Sequence, residues 1–155
     1  MPATPVPTPS APAVAGPYSP AVRAGDFVFL AGQIGTDPGT GSLVDGDVAD
    51  QARQVMRNIT AVLGDLGASW TDVVKTTVFL AGSLEHFSAV NAVYAEVIGE
   101  HRPARSTVAV AALPGGAAVE IEVVVHSPRQ HSEPHPGGNQ WDTKSRDPRP
   151  SGGSG

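Results

Sequence analysis

Apolar positions along this chain recur at two different spacings, and each change of spacing marks an element. Phe27-Val28-Phe29-Leu30-Ala31 is a short apolar run behind Ala24-Gly25-Asp26, which predicts a hairpin from a strand at about Ala21 to Arg23. From Asp47 to Leu66 the apolar residues Val48, Ala52, Val55, Met56, Ile59, Val62, Leu63 and Leu66 recur at steps of three and four. That is one face of a helix, stopped at Gly67. Residues 72–81 (DVVKTTVFLA) are β-branched and read as a central strand. Leu84 to Ile98 reads as a second amphipathic helix, with Phe87, Val90, Tyr94, Val97 and Ile98 inward and Gly99 as its stop. Residues 103–125 then give two further strands joined by a Leu113-Pro114-Gly115-Gly116 turn. The order β-β-α-β-α-β-β predicts an α+β sheet with both helices on one face.

The two ends read differently. Residues 1–15 hold five prolines and no charged side chain, and residues 127–155 hold almost nothing that packs. Neither composition offsets the entropy of ordering, so a disordered head (1–15) and a disordered tail (127–155) are expected around one folded domain over 16–126. His126, His131 and His135 lie at the start of that Pro-rich tail without a scaffold, which reads as no metal site, and Trp141 stands alone there.

Charge narrows the partners. Residues 16–126 carry six basic and twelve acidic side chains, a balance of about −6, and no cluster of Lys or Arg. Phosphate backbones need such clusters, so no nucleic-acid role is expected. The absence of cysteine excludes disulfides, thiolate nucleophiles and Cys-based metal sites. The N-terminus shows neither a basic stretch nor a continuous apolar stretch of leader type, and no apolar run reaches membrane-spanning length. The expectation is a soluble, cytoplasmic protein.

Charge enters the last two apolar strands at informative places: Arg105 opens the first and Glu120 lies within the second. A guanidinium offers a planar fork to a carboxylate, and a half-buried glutamate can steer a water or take a proton. Alternation places Val119, Ile121, Val123 and Val125 on one face of the last strand and Glu120 with Glu122 on the other. Taking the preceding strand as its neighbour, Arg105, Thr107 and Ala109 would share the glutamate face, too small and apolar for ordinary solvated surface. A subunit interface with a site between chains is the expectation.

Several segments together carry a family resemblance. Gly16-Pro17-Tyr18-Ser19-Pro20-Ala21, Ala31-Gly32-Gln33-Ile34, Val73-Val74-Lys75-Thr76-Thr77-Val78-Phe79-Leu80, Phe87-Ser88-Ala89-Val90-Asn91, Pro103-Ala104-Arg105-Ser106-Thr107 and Val119-Glu120-Ile121-Glu122 occur in that order. From about Gly16 to Val125 the chain resembles the RidA/YjgF reactive-intermediate deaminase family, known also as endoribonuclease L-PSP. The resemblance implies a chorismate-mutase-like sheet, a homotrimer with sites in the inter-subunit clefts, and hydrolysis of reactive enamines and imines such as 2-aminoacrylate to 2-keto acids and ammonia.

The same resemblance implies roles for particular residues. Arg105 would clamp the substrate carboxylate, and Glu120 would orient the attacking water and assist proton transfer. Gly32 and Thr107 would line the pocket with backbone groups, while Tyr18 and Asn91 match positions near the cleft. Neither metal nor organic cofactor is implied, since an imine is already electrophilic. Ala31 stands where the family often has serine, and Thr107 where many members have cysteine, which bears on the substrate more than on the reaction class. The bland reading of Arg105 is an interface ion pair with Glu120 or Glu122; Glu122 itself reads as structural. Two other functions compete: an enzyme acting on a larger biosynthetic intermediate, and a ligand-binding protein without turnover. A ribonuclease fits poorly, because the core is acidic and has no paired catalytic histidines.

Overall fold

The first long helix, α1 (Val48–Asp65), forms where the three-and-four spacing places it and is closed at both ends. Asp47 accepts from the backbone of Asp50 while the Asp50 side chain accepts from the backbone of Asp47, a reciprocal capping box. At the other end Gly67 adopts φ 66°, and Gly67 and Ala68 donate back to Gly64 and Leu63. These bonds satisfy carbonyls the helix leaves open, in the Schellman arrangement. The computed structural model describes residues 2–128.

The second helix, α2, runs from Phe87 to Ile98, and the first turn expected of it, Leu84–His86, is a 3-10 turn. Buried side chains of both helices join one core with Val28, Leu30, Val78, Leu80, Val119, Ile121, Val123 and Val125 of the sheet. The helices therefore cover one face of a mixed sheet, as the pattern predicts.

The strands are β1 (Thr4–Pro5), β2 (Ala21–Ala24), β3 (Phe27–Leu30), β4 (Gln33–Ile34), β5 (Val73–Ala81), β6 (Ala104–Val110) and β7 (Val119–His126). They lie in the order β1-β2-β3-β7-β5-β6, with β4 on the same side of β7 as β3. All seven expected elements are present. Their neighbours differ from the expectation in one respect that matters for the site.

The strands either side of Leu113–Gly116 do not form a hairpin. β5 lies between them, parallel to β6 and antiparallel to β7. The crossover through α2 returns the chain beside β5 as a parallel strand, the usual outcome of a strand–helix–strand unit. Residues 111–118 then bridge the end of β5, with Gly115 and Gly116 at φ 63° and 74° to turn the chain. Those conformations favour glycine.

The expected disordered head is also corrected. β1 pairs with β2 through Thr4↔Arg23 and Pro5↔Val22, and Val6 donates to Ala21. Val6 and Ala11 pack against the core, and Ser10 donates from its backbone and its hydroxyl to Asp65, both at 2.8 Å. The prolines that argue against a packed core also hold φ near its extended value, so fixing the head costs less entropy than for other residues. At the edge of a sheet a missing proline N–H is tolerated. At the other end Ser127 donates to Asp26 and accepts from Arg23, so the fold extends past His126. The rest of the tail, with His131, His135 and Trp141, lies outside the described residues.

A candidate active site divided between two faces of the sheet

Register decides where Arg105 points. It stands opposite Thr76, and Thr107 opposite Val78, both buried on the helix side of β5. Residues opposite one another share a face. Arg105 and Thr107 therefore lie on the helix side of an edge strand. Glu120 stands opposite Phe79 and Ile34, on the uncovered face. The expectation that Arg105, Thr107 and Ala109 share the glutamate face is thus overturned, because β5 intervenes and its register sets the sides.

On the helix side Arg105 rests in a cradle built by α2. Its Nη1 donates to Asn91 Oδ1 at 2.8 Å, and its guanidinium carbon lies 4.8 Å from the Tyr94 ring centre and 5.7 Å from that of Phe87. Cation–π attraction operates at such separations. Phe87, Asn91 and Tyr94 reach one guanidinium because steps of four and three keep them on one stripe of the helix. Tyr94 is fixed in turn by a 2.9 Å hydrogen bond between its hydroxyl and Thr76 Oγ1, and both residues are buried. Arg105 borders a cavity of about 410 Å³ shared with Asn91, Tyr94 and Arg102. Thr107 is half-buried and borders a narrower crevice with Phe87 and Arg105.

The uncovered face carries the second group. β3 and β4 both pair with β7, but the four steps from Phe29 to Gln33 oppose only three from Val124 to Ile121. The extra residue is a bulge at Ala31-Gly32, where the Ala31 N–H turns away to Pro20. The Glu120 carboxylate lies against this bulge. A Cβ on Gly32 would stand 1.9 Å from Glu120 Oε1 and 2.7 Å from Cδ, so only glycine leaves the carboxylate its place. Helix α1 holds the segment in position: Asn58 donates to the carbonyls of Ile34 and Thr36, and Gly35 lets the helix backbone approach. Tyr18 is 55% exposed and, with Gly32, Ile34, Pro114 and head residues 12–15, surrounds a cavity of about 290 Å³.

Electrostatics distinguish the two groups. Burial raises the Glu120 carboxyl above its ordinary value, and the neighbouring Glu122 carboxylate raises it further. Among the described residues Arg105 forms no ion pair, and neither Glu120 nor Glu122 is paired with it. The guanidinium keeps Nη2 and Nε for a ligand, and the half-buried carboxylate is positioned to hold a water or exchange a proton.

All six candidate residues are accounted for. Arg105, Asn91 and Thr107 gather on the helix side, and Gly32 and Glu120 meet on the uncovered side, where Tyr18 borders the neighbouring cavity. One chain does not join the two groups, because the sheet separates them. Sequence reasoning missed the anchoring of Arg105: Phe87 and Tyr94 read as core, and Thr76 as one more strand residue. A buried threonine and a tyrosine hydroxyl needing each other was the available signal.

Comparison with known proteins matches residues 8–127 to the family model described as Endoribonuclease L-PSP. The chain is 49% identical over 119 residues to a RutC family protein of Pyrococcus horikoshii, covering 77% of this chain and 94% of that one. It is 44% identical over 117 residues to the human protein named 2-iminobutanoate/2-iminopropanoate deaminase, covering 76% and 85%. Among solved structures it resembles E. coli TdcF with bound serine, with a TM-score of 0.74, 39% identity, and coverage of 79% and 98%.

Proposed function

The chain belongs to the Endoribonuclease L-PSP family, and from that premise we propose that it is a hydrolytic deaminase of small 2-imino and 2-enamino acids, working as a homotrimer. The observation that carries the reading is the pair of complementary half-sites. Arg105 is held with donors to spare on one side of the sheet, and Glu120 is held against Gly32 on the other. A relative at 44% identity bears the name of an imine deaminase, and a structural neighbour holds serine, a small molecule with an α-carboxylate.

In this reading the helix-side edge of one subunit's sheet faces the uncovered side of its neighbour. Arg105 of one chain binds the substrate carboxylate in a two-pronged pair, and the Asn91, Tyr94 and Phe87 contacts limit the freedom lost on binding. The imine carbon is then presented to Glu120 of the adjacent chain. That carboxylate accepts a proton as water adds to the carbon, giving a carbinolamine. It passes that proton to the imine nitrogen, then takes the carbinolamine's hydroxyl proton and delivers it to nitrogen as the C–N bond breaks, releasing ammonia and leaving the 2-keto acid. Backbone groups at Gly32 and the half-buried Thr107 line the space, and Tyr18 closes it from the loop before β2. The imine supplies its own electrophile, so positioning and one proton acceptor meet the chemical demand.

The test is release of keto acid and ammonia from 2-aminoacrylate generated in situ. The wild-type protein should accelerate it over the uncatalysed rate. Arg105→Ala should lose about 100-fold in kcat/KM, ~2.7 kcal/mol of transition-state stabilisation. No acceleration by folded wild-type protein would sink the proposal.

A further inference from the structure

Arg102 borders the same cavity of about 410 Å³ as Arg105. Its Nη1 donates to the carbonyls of Gly99 and His101, at the open end of α2, which fixes the side chain beside the cavity. Among the described residues no protein acceptor meets its Nη2 or Nε, and it forms no ion pair. The wall contains two guanidiniums and no carboxylate, while Ala95 and Ile98 supply an apolar stretch. Two cations sharing a space with no counter-charge repel each other, and a ligand with two negative ends relieves both.

We propose that this cavity is a second carboxylate subsite beside the Arg105 clamp, with Arg102 as its cation. The preferred substrates would then be 2-imino acids with an acidic side chain: the α-carboxylate on Arg105, the side-chain carboxylate on Arg102, and the methylenes against Ala95 and Ile98. This rests on the deaminase reading for the reaction, but not for the binding, and the two fail separately. The apolar wall suits a short methylene chain better than it suits a second inorganic anion.

The test uses the stable keto-acid products as probes. Titration calorimetry of the full-length protein would compare 2-oxoglutarate with 2-oxobutanoate, in the wild type and in Arg102→Gln. Wild-type protein should bind the dicarboxylate at least fivefold more tightly, and in Arg102→Gln the ratio of the two constants should fall toward one. Equal affinities in the wild type, a ratio unmoved by the substitution, or no binding of either probe would overturn the subsite. Decay of the imino acids formed in situ from glutamate and from 2-aminobutyrate is then followed separately. A protein that binds the dicarboxylate by this pattern yet accelerates neither imine keeps the subsite and loses the deaminase.

Discussion

The Glu120 carboxyl holds its proton more firmly than an ordinary glutamate because the Gly32 bulge and the sheet shield it from water, and Glu122 on the same face adds like-charge repulsion. If the ionised form activates water, kcat/KM must fall toward acid pH as Glu120 takes up that proton. Glu122→Gln removes only the smaller cause, so the acid limb should move to lower pH and still lie above that of a solvated glutamate. A pH profile with its limb unmoved would show that Glu122 does not act on the titrating group. Gly32→Ala tests the other contact: its Cβ would displace the carboxylate, costing about tenfold or more in kcat/KM. The melting temperature should change by only a few degrees, because the displaced atoms belong to the end of a flexible side chain. Arg105 and Glu120 were legible as chemistry because a charge inside an apolar strand is costly without a purpose. The Tyr94–Thr76 support beneath Arg105 was not, since periodicity assigns residues to a face without saying which partner lies beneath it.

At the scale of elements, the helices and the long strands were readable because periodicity, capping residues and stop glycines agree at each of them. Asp47 with Asp50 and the Gly67 stop illustrate that agreement for α1. Strand neighbours were harder, because a turn sequence does not say whether another strand will enter between its arms. Gly115 and Gly116 signal a change of direction, whereas the α2 crossover decides that β5 fills the gap. The head shows the reverse error: composition argues for disorder, yet β1, Val6 and Ser10 each find a partner. Deleting residues 2–9 should remove about 1–2 kcal/mol of stability and lower the melting temperature by several degrees while the fold persists. An unchanged melting temperature would mean that the β1 pairing adds nothing.

For the whole molecule, the uncovered face of the sheet is the unresolved demand. Phe29, Phe27 and Val108 are 49%, 42% and 42% exposed, and Glu120 and Glu122 lie among them. Exposed apolar residues from β3 and β6 on the same uncovered sheet face offer a surface that another protein can cover. No element of the described chain covers it. A second copy of the chain would both bury this face and bring Glu120 to the Arg105 of its neighbour, which the fold of one chain keeps apart.

The most direct test mixes two inactive variants, Arg105→Ala and Glu120→Ala, in equal amounts, unfolds them together and lets them reassemble. Each site in this account takes Arg105 from one chain and Glu120 from the next. About a quarter of the mixed clefts should regain both groups, since each of the two chains has an even chance of being the right one. Activity on 2-aminoacrylate near a quarter of the wild-type value, against almost none for either variant alone, is the predicted result. Activity in the mixture no greater than the average of the separate variants would contradict a site shared between chains.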